Sequence, residues 1–190
     1  MMKNLIPVGY MAKRVESKPD YLQSDRVEDI YSVSNCISDD FSYYTEYWKH
    51  NGYWFFNSPA DIWVLAKEHD LSLEGTKLFY YEVYELQCYE DDPEWETFEP
   101  ETSFVTNVKV PAKKVLEGYD IVSFSQGNAA ECSYLSCNQM AENIKVNRHC
   151  LIETFEEAKS LLAQGVFKGC EPGPCRIFAV YSVPNQKSFS

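Results

Sequence analysis

The strongest constraint on the fold is a pattern that occurs twice. Residues 53–86 begin with YWFF, continue through NSPAD and IWVLAKEH, and end on LFYYEVYEL. Residues 149–183 begin with HCLI, continue through ETFEEAKSLLAQ, and end on RIFAVYSV. In each, an apolar run precedes a hydroxyl, Ser58 or Thr154, and an acid follows three residues later, Asp61 or Glu157. A hydroxyl and an acid at that spacing answer each other's free N–H groups at a helix start. Pro59 fits the first helical position, where no N–H is needed. Ile62, Leu65 and Ala66 then form an apolar stripe. The closing runs, Leu78 to Leu86 and Arg176 to Val183, are rich in aromatic and β-branched residues and predict strands.

Two strand–helix–strand units predict an α+β chain. The expected sheet is mixed or antiparallel and aromatic-rich, with two capped helices packed mainly on one face. A single domain over 1–190 is expected, and 53–86 and 149–183 are candidates for an internal β-α-β duplication. Aligning the two caps sets Cys150 opposite Trp54 and Ile152 opposite Phe56. IPVGYMAKRV, FVTNVKVP and YDIVSFS predict further strands. PDYLQSDRVEDIYSV predicts a turn and a short helix, PAKKVLEG a single helical turn, and Gln139 to Asn143 another short helix. YWFF and HCLI read as strands.

Composition narrows the function. The 190 residues carry 29 acidic and 17 basic side chains, a net charge of −12. A protein that tracks a nucleic-acid backbone needs a basic footprint, so no nucleic acid is expected as partner. No window approaches eighteen apolar residues, so no membrane is expected either. The first twenty residues lack the apolar core and cleavage site of a secretory signal, which favours the cytoplasm. Seven cysteines in a reducing compartment read as free thiols or metal ligands. No Gly-rich phosphate loop, HExxH or GxSxG is present, and no cofactor is expected.

The richest chemistry lies in ECSYLSCNQMAENIKVNRHC and GCEPGPC. The main reading is a set of buried thiols, with Cys150 as a small core residue. A zinc site would draw on Cys132, Cys137, Cys170 and Cys175, although four intervening residues per pair is at the loose edge of zinc spacing. A disulfide within either pair is geometrically possible. A cysteine enzyme would use Cys137, His149 and Arg176 on an anionic or nucleotide-like substrate. His149 and Cys150, adjacent in a strand, would face opposite sides and cannot pair with each other. His50 and His69 read as solvated, Cys36 and Cys88 as isolated, Asn138 and Asn147 as loop braces, and Arg148 and Arg176 as ion-pair partners.

From Glu82 to Glu101 the chain has nine acids and no base. Acids steer a cationic partner and aromatics anchor it. The expected function is therefore a non-catalytic acidic binder that docks on a basic protein, such as a toxin-neutralising immunity or inhibitor protein. Its contact residues are Tyr89, Glu90, Asp91, Asp92, Glu94, Trp95, Glu96, Phe98 and Glu99. The alternatives are the small enzyme and a zinc-stabilised structural module.

Overall fold

The computed structural model describes residues 5–34, 36, 51–89, 92, 94–97, 107–124 and 129–184. Two long antiparallel strands form its centre: β4 (Thr76–Tyr84) and β8 (Cys175–Val183), paired from Leu78↔Val183 to Val83↔Phe178. β1 (Leu5–Arg14) flanks β4, and β7 (Val115–Ser123) flanks β8, both antiparallel. After Glu85 the chain resumes as β5 (Leu86–Cys88), which meets β8 at Cys88↔Cys175 and pairs with β6 (Trp95–Thr97). A two-residue ladder joins β2 (Glu16–Ser17) to β3 (Asp29–Ile30).

Both faces of the central pair are covered. Ile177 and Ala179 enter one apolar cluster, and Phe178 and Val180 enter the other. Alternate residues of a strand point to opposite sides, so a strand buried on both sides reads as a continuous apolar run. That explains RIFAVYSV.

Helix α1 (Pro59–Glu68) buries Ile62, Leu65 and Ala66 and packs against β1. The Asp61 carboxylate accepts from Ser58 N–H and Ser58 Oγ, each at 2.9 Å. Helix α2 (Phe155–Ala163) packs against β7 and β8. Thr154 Oγ1 accepts from Glu157 N–H at 3.2 Å. The Phe155 ring meets Tyr84 and Tyr119 edge-on, with centroids 5.0 and 6.0 Å away. The chain is thus an α+β fold with two capped helices on an antiparallel, aromatic-rich sheet. Helix α1 joins one apolar cluster and α2 the other, so the helices lie on opposite faces and not mainly on one as expected.

Several expected elements differ. Neither YWFF nor HCLI is a strand. Each is a tight turn with one residue at positive φ, Trp54 (63°) or Cys150 (61°), and a single bridge to the sheet, Tyr10↔Phe56 or Tyr119↔Ile152. An asparagine explains each turn. Asn51 Oδ1 accepts from Tyr53 and Phe55 N–H, and its amide donates to Val8 O at 2.7 Å. Asn147 does the same with His149 N–H, Leu151 N–H and Glu117 O. The side chain takes the N–H groups that a ladder would use.

These turns press on two bulged glycines, Gly9 (φ 136°) and Gly118 (φ 150°). A Cβ on Gly9 would sit 2.6 Å from Phe55 Cβ and 2.7 Å from Phe56 O. A Cβ on Gly118 would sit 2.7 Å from Leu151 Cβ and 2.8 Å from Ile152 O. Only glycine combines that backbone with that approach.

The helix expected within PDYLQSDRVEDIYSV is absent, and the segment holds turns and β3. Its polar residues bond the backbone locally instead, as Gln23 Nε2 does to Asp20 O at 2.7 Å. PAKKVLEG is not a helical turn, because β7 begins at Val115. Residues 107–111 of the expected FVTNVKVP strand are irregular, and 104–106 lie outside the described residues. Met140–Glu142 is a single 3-10 turn.

Candidate metal centre

The centre is built by two buried ionisable side chains that the core would not tolerate without partners. Lys13, on β1, is 2% exposed. Its ammonium donates to three successive carbonyls, Ser32 O at 2.9 Å, Val33 O at 3.0 Å and Ser34 O at 2.7 Å. Asp120, on β7, is fully buried. Its Oδ2 accepts from Ser32 Oγ at 3.1 Å and Val33 N–H at 2.9 Å, and its Oδ1 accepts from Ser133 Oγ at 2.6 Å. Desolvation pushes the Asp120 carboxyl up to about 6, although these hydrogen bonds oppose the rise. Lys13 thereby fixes 32–34 to β1, and Asp120 ties Ser32 and Val33 to Ser133.

Ser34 extends that join. Its hydroxyl donates to Glu131 O and accepts from Cys36 N–H at 3.1 Å. On the opposite side, Ser123 N–H donates to Cys132 O at 2.9 Å, and Cys137 N–H donates to Ser133 O at 2.9 Å. The outcome is a cluster of three thiols, Cys36, Cys132 and Cys137, with every sulfur within 4.8 Å of the others. Cys36 Sγ is 3.7 Å from Cys132 Sγ and 3.2 Å from Glu131 O. Cys137 Sγ is 3.8 Å from Ser34 Oγ.

The donor set suits a soft cation. Zinc–thiolate bonds of about 2.3 Å at tetrahedral angles put sulfurs about 3.8 Å apart. The Cys36–Cys132 separation of 3.7 Å already meets that spacing. Thiolates select zinc or copper(I) over oxygen-seeking ions. The thiols are electrostatically unequal. A hydrogen bond from Cys137, with help from Ser34, Cys132 and the Lys13 charge, holds Cys36 down to about 5 against desolvation. Burial and the Cys36 charge push Cys132 up to about 12, and Cys36 and burial raise Cys137 further. A cation replaces these protons by binding all three as thiolates.

The expected quartet of Cys132, Cys137, Cys170 and Cys175 is not assembled. Cys175 instead faces Cys88 across β5 and β8 and donates to Cys88 O at 3.5 Å, while Cys170 is half-buried near the end of the α2 connector. All seven cysteines are free thiols, so neither of the geometrically possible disulfides is formed. The third member, Cys36, is one that spacing had marked as isolated. Strand alternation offered a partial signal, because Lys13 shares its side of β1 with buried Met11.

The other expected site residues have separate partners. His149 Nδ1 lies 2.5 Å from Asp29 Oδ1, and its ring stacks on Tyr31 at 3.9 Å. Cys150 is buried. Arg176 is buried with its guanidinium 3.4 Å from the Phe124 ring centroid, and desolvation lowers it to about 9. Arg148 pairs with Glu28 at 2.5 Å. His69 is exposed beyond α1, and His50 lies outside the described residues.

Of the acidic segment, Asp92, Glu94 and Glu96 are exposed. Trp95 is half-buried, edge-on to Tyr84 at 5.3 Å and under Lys159 at 5.6 Å. Tyr89 accepts from Gln87 Nε2 at 2.8 Å. Glu90, Asp91, Phe98 and Glu99 lie outside the described residues. Among the described residues, no helix is long and apolar enough to cross a membrane. Comparisons with protein-family models, curated proteins and solved structures find no match.

Proposed function

We propose that the chain is a small module stabilised by a thiolate-bound metal ion, with zinc as the resident and Cys36, Cys132 and Cys137 as its ligands. The observation that carries this reading is the convergence of three sulfurs within 4.8 Å from segments some 96 residues apart. Thiols gathered from distant segments, and held there by Lys13 and Asp120, differ from thiols scattered in a core. An ion on them would cross-link 32–36 to 131–137 and add its binding free energy to the folded state. Three protein ligands leave one tetrahedral position for a water or a further donor. Docking on a basic protein has weaker support, because Trp95, one of its expected anchors, is packed against Tyr84.

Cobalt(II) titration of the reduced, metal-free protein tests the proposal. Thiolate-to-cobalt charge-transfer bands in the near ultraviolet, saturating at one equivalent and displaced by zinc, are the expected result. Absence of those bands would refute it.

A further inference from the structure

We infer that the same centre is a thiol switch, in which a peroxide joins Cys36 to Cys132 as a disulfide and discharges the ion. Release of the ion rests on the metal reading above, whereas the disulfide does not. The geometry is favourable: the two sulfurs are 3.7 Å apart and must close to about 2.05 Å, within reach of side-chain rotation. Access is graded. Cys36 is exposed and Cys132 half-buried. Cys88 and Cys175, directly opposite one another across two strands, are both buried and form an internal comparison of lower access.

The chemistry runs in two balanced steps. The Cys36 thiolate attacks one peroxide oxygen. The O–O bond breaks, Cys36 becomes a sulfenic acid, and hydroxide leaves and takes up a proton as water. The Cys132 sulfur then attacks the Cys36 sulfur. An S–S bond forms, the S–O bond breaks, and the hydroxide leaves as water, taking the Cys132 proton in the metal-free form or a solvent proton in the zinc-loaded form. Two thiols are oxidised by two electrons, and one peroxide is reduced to two waters.

Exposure suits this order, because Cys36 is the open member of the pair and the first that a peroxide meets. Cys137 lies in contact with Ser34 and is left with too few companions to hold the ion alone.

The test is peptide mapping of reduced full-length protein, zinc-loaded and chelator-stripped, after one equivalent of hydrogen peroxide. A Cys36–Cys132 linked peptide is expected in both forms, with Cys88 and Cys175 still alkylatable. In the zinc-loaded form a chromogenic chelator should record one ion released per disulfide. Cys132→Ser should trap a dimedone-reactive sulfenic acid on Cys36. Linkage of Cys36 or Cys132 to Cys137 instead, or a Cys36 thiol that survives peroxide, would overturn the switch. Protein that forms the disulfide but never carries zinc keeps the switch and removes the metal reading. Protein that carries zinc but forms no disulfide removes the switch alone. The wild-type map needs no variant to fold.

Discussion

Replacing Asp120 with asparagine should alter the pH dependence of stability in a predictable direction. The carboxylate is fully buried and accepts three hydrogen bonds, from Ser32 Oγ, Val33 N–H and Ser133 Oγ. Asparagine keeps one acceptor oxygen, and the hydroxyls can rotate to meet its amide, so the shape survives. The titration does not. Burial raises Asp120 from 3.8 to about 6, so the folded state holds its proton more tightly than the unfolded chain does. The stability linked to that proton is complete below pH 3.8 and is lost as pH rises through 6. The interval corresponds to about 3 kcal/mol, of which about 2–3 kcal/mol falls between pH 4.0 and 7.5.

Asparagine carries no such proton. The stability difference between wild type and Asp120→Asn should therefore move by about 2–3 kcal/mol in favour of the variant from pH 4.0 to 7.5. With a slope of roughly 2 kcal/mol per molar urea, the relative midpoint moves by about 1 M. The assay is urea unfolding followed by tryptophan fluorescence, on reduced protein with chelator present so that no metal contributes. Parallel pH profiles, with a difference constant to about 0.5 kcal/mol, would refute the claim that a buried, ionisable Asp120 fastens the two segments.

Asp120→Ala, which removes all three hydrogen bonds, should bind zinc about 10–100-fold more weakly at pH 7.5 in a competition titration, because Asp120 positions the segments that carry the ligands. Gly118→Ala should cost about 2–4 kcal/mol in urea unfolding, combining the left-handed backbone with the clash on Leu151 and Ile152. Gly75→Ala, which meets nothing within 4 Å, should cost only the backbone part, about 1–2 kcal/mol. Thr154→Ala should lower stability by about 1 kcal/mol through loss of the cap to Glu157 N–H, read as a fall in thermal midpoint.

The helices were legible because their signals are local. Ser58-Pro59-Ala60-Asp61 and Thr154-Phe155-Glu156-Glu157 each place cap and acid within four residues. The central strands were legible because burial on both faces leaves a continuous apolar run. YWFF and HCLI misled for the same reason, since apolar composition does not distinguish a strand from a buried turn. The deciding residues, Asn51 and Asn147, stand just before those runs, and their side-chain bonds to the backbone override strand propensity. The metal centre was only half legible. Cys132 and Cys137 share a short segment, but Cys36 joins them through a contact across 96 residues that no spacing records. Cys170 and Cys175 looked equivalent to that pair until β8 carried Cys175 to Cys88.

Metal content tests the central claim most directly. Full-length protein purified under reducing conditions, reconstituted with zinc and freed of excess ion, should carry about one zinc per chain by mass spectrometry of the metal. Cys36→Ser, Cys132→Ser and Cys137→Ser should each lose it, and Cys88→Ser and Cys170→Ser should keep it. A wild-type protein that retains no zinc, or a Cys36→Ser protein that retains as much as wild type, would contradict the account.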